Sequence, residues 1–173
     1  MNHVEQNLTN EIVALLTRED LHTRAIADQL RSNHATVLRK LRDLTEDNIV
    51  DFRIEGKNKV FNLKRTMEGR NAAMIAEIYK QSSIVSKYPV LRGIVQAIQE
   101  MPEIPLAILY GSFVKGLATK GSDIDIYIET SDTQMKKLLE KKHSSISVKI
   151  GKFDTSNLLI REMMKDHIII RGV

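Results

Sequence analysis

One stretch of this 173-residue sequence leaves few choices of fold: LAILYGSFVKGLATKGSDIDIYIE, from Leu106 to Glu129. Leu106 to Tyr110 is an apolar run without charge, the pattern of a strand buried on both faces. Gly111 and Ser112 end it and open a short segment punctuated by Gly116 and Gly121. From Asp123 the residues alternate strictly, Asp-Ile-Asp-Ile-Tyr-Ile-Glu, which predicts a strand with successive side chains on opposite faces. Ile124, Ile126 and Ile128 then share one face, and Asp123 and Asp125 share the other, about 6.5–7 Å apart at Cα. Two outward carboxylates at that spacing can grip a hard divalent cation through oxygen. A Gly-Ser turn ending the neighbouring strand can offer backbone N–H groups and a hydroxyl to phosphate. A divalent cation with a triphosphate is the combination nucleotidyl transfer needs. The plainer alternative is a strand whose solvated face happens to carry two Asp; the apolar strand and Gly-Ser upstream weigh against it.

The order apolar strand, Gly-Ser, about ten residues, then Asp-x-Asp between aliphatics resembles the signature of the DNA polymerase β-type nucleotidyltransferase superfamily. Within it, GSFVKG and SDIDIYI are most similar to the minimal nucleotidyltransferases, and the resemblance covers Pro89 to Val173. It implies a nucleoside triphosphate substrate and Mg²⁺ (or Mn²⁺). Carried onto this sequence, it makes Asp123 and Asp125 the metal-binding, catalytic pair. Gly111, Ser112, Lys115 and Ser122 become nucleotide-binding residues, with Ser122 also suited simply to capping the turn. The superfamily usually adds a third carboxylate from a later strand. Here the strand expected at Ile146–Ile150 turns Ser145, Ser147 and Lys149 outward, none of them acidic. Asp154 and Glu129 are the remaining candidates, both off the expected position. Minimal nucleotidyltransferases of the antitoxin kind also resemble this sequence, and some modify a partner toxin, so a protein acceptor is one implied partner.

Towards the N-terminus, Leu8, Ile12, Val13, Leu15 and Leu16 form a helical stripe. Arg24 to Leu30 predicts a short helix after Thr23, and Ser32 is suited to cap a longer helix running to about Leu44. On that helix Val37, Leu38, Leu41 and Leu44 fall to one side, with Ser32, Thr36, Arg39 and Arg42 on or near the other. Ile49–Ile54 and Lys59–Leu63 alternate as two strands around the turn Glu55-Gly56-Lys57-Asn58. This succession resembles the winged helix–turn–helix DNA-binding domains of prokaryotic regulators. By that resemblance the Ser32–Leu44 helix enters the major groove of double-stranded DNA, and Arg53, Lys57 and Lys59 on the wing meet phosphate or the minor groove. Residues 1–65 hold eleven Lys/Arg against ten Asp/Glu, so binding must rest on local clustering, not bulk charge. The bland alternative is a solvated helix in a domain that only mediates dimer contacts.

Thr66 to Ser83 reads as a helix bounded by Ser82-Ser83; its stripe, with Met67, Met74 and Tyr79, suits a core or a homodimer interface better than a ligand lining. The division expected is 1–65 winged helix–turn–helix, 66–88 connecting helix and 89–173 nucleotidyltransferase-like domain. The fold class is α/β (α+β), the second domain being a polymerase β-like α/β sandwich. Pro89 is expected at the first position of the helix carrying Val90, Leu91, Ile94, Val95, Ile98 and Met101. Helices over Asp132–Lys142 and Ser156–Lys165 and a strand over His167–Arg171 complete it. His34, His143 and His167 stand alone in the sequence, as surface or satisfied histidines do. With no Cys, the chain has no disulfide, thiolate metal site or Cys nucleophile, which fits a reducing cytoplasmic setting. No apolar run approaches a membrane span, and the opening segment is too polar for a signal peptide. Two readings follow: a nucleotidyltransferase with a DNA-binding targeting module, or a transcription regulator using a catalytically weak nucleotidyltransferase-like domain as nucleotide sensor or dimerisation unit.

Overall fold

The computed structural model describes residues 3–172, with side chains described over 7–172. The chain divides into two compact units, Met1–Tyr79 and Lys80–Val173.

In the first unit, α1 (His3–Leu16), α2 (Thr23–Gln29) and α3 (His34–Glu46) pack with a small antiparallel sheet. The sheet contains β1 (Leu21–His22), β2 (Val50–Glu55) and β3 (Asn58–Leu63) in the order β1-β3-β2. Ile12, Ile26, Val37, Leu41, Leu44 and Phe61 bury their side chains together, which fixes α3 against α1, α2 and the hairpin. Glu55 pairs with Asn58, leaving Gly56 and Lys57 as a two-residue turn. Gly56 has φ 61°, the conformation such hairpin turns demand and glycine supplies without strain. Three helices with a hairpin wing make this unit a winged helix–turn–helix.

Local details differ from the sequence reading. The cap of α3 lies one residue beyond the expected Ser32, with Asn33 Oδ1 accepting from the Ala35 N–H at 2.8 Å, and α2 is capped by His22, whose Nδ1 accepts from the Ala25 N–H at 3.1 Å. Ser32 instead lies in the α2–α3 turn, its N–H donating to the Ala27 carbonyl at 2.9 Å. Leu38 is half-exposed, and buried Lys40 extends the inner face of α3 with its methylene stem, holding Nζ 3.5 Å from Asp43 Oδ2. The strand β1 was not foreseen, because two residues carry no readable alternation.

The helix after the wing, α4 (Met67–Lys87), runs straight through Ser82-Ser83. Serine costs a helix only a few tenths of a kcal/mol, and the next turn carries Ile84, which is buried in the second core. The boundary between the units falls inside α4.

The second unit contains α5 (Leu91–Gln99), β4 (Ala107–Tyr110), β5 (Ile124–Glu129), α6 (Thr133–Glu140), β6 (Ile146–Gly151), α7 (Leu158–Lys165) and β7 (Ile168–Arg171). Pro89 sits in the turn before α5, not at its first position. The sheet order is β6-β5-β4-β7; β4 is antiparallel to β5 and β7, and β5 runs parallel to β6 across the α6 connection. Ala107, Leu109, Ile124, Ile126 and Ile128 pack beneath α5 and α6, while Ile108 and Tyr127 meet Ile160 and Met163 of α7 on the opposite face. The uncharged run of β4 is therefore covered on both sides, as its sequence requires. No helix among the described residues is long and apolar enough to cross a membrane.

Leu41 is fully buried at the centre of the first core. Leu41→Ala is expected to lower stability by about 3 kcal/mol in urea unfolding, while exposed Arg42→Ala on the same helix shifts it by less than about 0.5 kcal/mol.

Candidate functional site

Antiparallel pairing sets Tyr110 opposite Asp125. One residue on, Gly111 turns the chain with φ 80°, a left-handed conformation that side chains other than glycine's rarely adopt. A Cβ on Gly111 would collide with Asp125 Oδ2. The glycine is thus needed twice, for its backbone angle and for the carboxylate lying against its Cα. Asp123 precedes β5 and is exposed, whereas Asp125 is half-buried on the face opposite the isoleucines.

The two carboxylates share one field. Burial lifts the Asp125 carboxyl above its usual range, neighbouring Asp123 adds to the lift, and the Lys149 ammonium opposes it. Burial also raises the Tyr110 phenol, and the Asp125 charge adds to that. A cation between Asp123 and Asp125 would relieve both the burial and the repulsion. Hard oxygen donors in this number suit Mg²⁺, which binds through one or two carboxylates plus substrate phosphates and keeps several waters.

After Gly111 comes one helical turn. The Lys115 N–H donates to the Gly111 carbonyl and the Leu117 N–H to that of Ser112, at 3.2 and 2.9 Å. The Gly-Ser corner therefore opens beside Asp125, and Lys115 follows it in the same turn. Ser122 Oγ accepts from the Thr119 N–H at 2.8 Å and closes the turn before Asp123.

The later strand brings no acid. Ser147 is registered beside Asp125, and Lys149 lies two residues on, opposite Tyr127. Glu129 accepts from the Phe153 N–H at 3.0 Å. It stands four residues along β5 from Asp125, about 13 Å away. Exposed Asp154 accepts from the Ser156 N–H at 2.8 Å, and that bond holds its carboxyl below the usual range. Among the described residues no group of three or more His, Cys, Asp or Glu could hold a metal.

In the first unit, Arg39 and Arg42 are exposed on α3, with Thr36 and Ser32 half-buried. A cleft of about 290 Å³ lies between α2, α3 and the wing, lined by His22, Thr23, Arg24, His34, Leu38, Lys57, Asn58 and Lys59. Arg24, His22 and His34 were not foreseen there; they come from separate elements, and no local spacing links them to the wing lysines. Lys59 Nζ lies 3.8 Å from the centre of the Phe52 ring. Arg53 is engaged by Asp20 and Glu55, and the Asp20 hydrogen bond contributes most to keeping its guanidinium charged. Two carboxylates thus already neutralise Arg53, whereas Lys57 stands at the wing tip.

Residues 92–173 match the family described as Polymerase beta, Nucleotidyltransferase, a match that runs from α5 to the end of the second unit. Among solved structures, the adhesin competence repressor AdcR of Streptococcus pyogenes aligns over 50% of this chain and 66% of its own, with 17% identity and a TM-score of 0.43. ZitR of Lactococcus lactis aligns over 50% of this chain and 60% of its own, with 16% identity and a TM-score of 0.43. The chain thus spans less than two thirds of either protein. Comparison with curated proteins found no match.

A carboxyl whose folded-state pKa is raised destabilises the native state as pH climbs above the unfolded value, and the full cost is present above the folded value. Asp125→Asn is therefore expected to raise the thermal midpoint in metal-free buffer at pH 7, modestly because the group is partly solvated. The gain should disappear near pH 3.5, below the ordinary Asp value of about 3.9. Scanning calorimetry at both pH values reads this; an unchanged or lower midpoint at pH 7 contradicts it.

Proposed function

We propose that the second unit binds a magnesium nucleoside triphosphate and transfers its nucleotidyl group to a hydroxyl acceptor, and that the first unit binds double-stranded DNA. The observation carrying the first part is the seating of Asp125 against Gly111 with Asp123 beside it, next to the Gly-Ser corner. Asp123 and Asp125 hold the cation, which when bound neutralises phosphate charge. Gly111, Ser112 and Lys115 hold the phosphates. The acceptor hydroxyl, on a protein, RNA or small molecule, attacks the α-phosphorus. The new O–P bond replaces the α–β bridge, and pyrophosphate and the hydroxyl proton leave.

DNA binding is supported by the face that α3 presents beside the wing. In this reading Arg39, Arg42, Thr36 and Ser32 meet base edges and phosphates, and Lys57 and Lys59 the backbone. A winged helix reads paired half-sites most readily as a dimer. Met67, Met74, Ile75 and Ile78, exposed along one face of α4, are our candidates for contact with a second copy.

The neutral Ser147 and cationic Lys149 beside Asp125 favour a second reading. There the domain binds nucleotide without efficient transfer and serves a DNA-binding regulator as sensor. Incubation with α-labelled triphosphates, Mg²⁺ and cell lysate separates the two, because covalent label accumulates only if transfer occurs.

Asp123→Ala with Asp125→Ala is expected to abolish Mg²⁺-dependent nucleotide binding in isothermal titration. Persistence of that binding would remove the carboxylates from the site. Arg39→Ala with Arg42→Ala is expected to weaken duplex binding about tenfold or more and to flatten its dependence on log salt by up to about two units. An unchanged salt slope sinks the groove assignment.

A further inference from the structure

The second unit meets the needs of one divalent cation and withholds those of another. Asp123 and Asp125 form a pair at the start of β5, but Ser147 is the neighbour registered beside Asp125 on the edge strand β6. Lys149 follows Ser147 on the same face and is exposed. Glu129 and Asp154 are occupied at backbone N–H groups elsewhere. A second divalent ion placed here would find an ammonium where it needs a carboxylate, and like charges at such range repel.

Charge arithmetic shows what the lysine can do. Two divalent ions on three carboxylates leave one surplus positive charge facing the phosphates. One divalent ion on two carboxylates, joined by one ammonium, leaves the same surplus. Lys149 sits one diagonal step across the β5–β6 pair from Asp125, on the same face of the sheet. Its long stem is unbranched and carries three donors at the tip, which suits a phosphate oxygen.

Resting on the nucleotide-binding reading above, we infer that this site takes one divalent cation per nucleotide, held by Asp123 and Asp125. The Lys149 ammonium supplies the remaining positive charge by donating to a phosphate oxygen. Lys149 is then a nucleotide-binding residue in its own right, and Ser147 leaves room for it. The number of ions per bound nucleotide follows from two positions on one edge strand.

The test uses the full chain with Mn²⁺ as probe and α,β-methylene triphosphates of the four nucleosides, which cannot turn over at the α-phosphorus. Equilibrium dialysis gives bound nucleotide, and electron paramagnetic resonance gives bound Mn²⁺. Wild type is expected to hold one Mn²⁺ per nucleotide. Lys149→Met and Lys149→Gln, on an exposed position that tolerates substitution, are expected to keep that ratio and weaken nucleotide affinity about tenfold, the loss of one charge-assisted hydrogen bond. Lys149→Arg should recover most of the loss. Two Mn²⁺ per nucleotide in wild type overturns the inference and leaves the nucleotide-binding reading standing. So does unchanged affinity in both neutral variants, as expected of a lysine that only guards a sheet edge. Wild type that binds none of the four analogues with Mn²⁺ removes the nucleotide-binding reading, and this inference with it.

Discussion

The second unit depends on the register between β4 and β5. Pairing Tyr110 with Asp125 brings the chain reversal at Gly111 level with the carboxylate, and only a residue without Cβ leaves room for it. A slip of one residue would turn Asp125 into the isoleucine core and Ile126 onto the opposite face, because strand side chains alternate. The apolar face of β5 therefore does more than build a core. By burying Ile124, Ile126 and Ile128 it fixes which way both acids point. Hydrophobic burial sets the geometry, and the acids bear its electrostatic consequence.

That part of the molecule was legible in the sequence because everything it needs is local: a run of five apolar residues, a glycine, and an alternation of period two. The inner face of α3 and the wing turn were legible for the same reason, through helical spacing and Glu55-Gly56-Lys57-Asn58. What escaped the sequence is what several elements assemble jointly. Leu38 sits at the margin of the α3 stripe, and its half-exposure depends on the wing that faces it. The helix continues past Ser82-Ser83 because Ile84 has a core to enter, which no local propensity reports. Asn33 takes the cap expected of Ser32, an ordinary outcome where several polar side chains compete at a helix start.

The first unit shows how little net charge says about a surface. Its lysines and arginines nearly balance its acids, yet Arg24, His22, His34, Lys57 and Lys59 converge on one cleft. Arg53 illustrates the reverse: a basic residue on the wing, counted with the others by sequence, is matched by Asp20 and Glu55. Partner carboxylates, not the tally of bases, decide how much positive charge such a surface presents.

The connection between the Gly-Ser corner and Asp123 has a further consequence. Its ends are fixed by the Gly111 reversal and by Ser122, which latches onto Thr119. Between those anchors Leu117 projects into solvent, contributing nothing to the core. Phe113, Val114 and Ala118 of the same bridge pack into the core, so the connection tolerates replacement at Leu117 and resists it at Phe113.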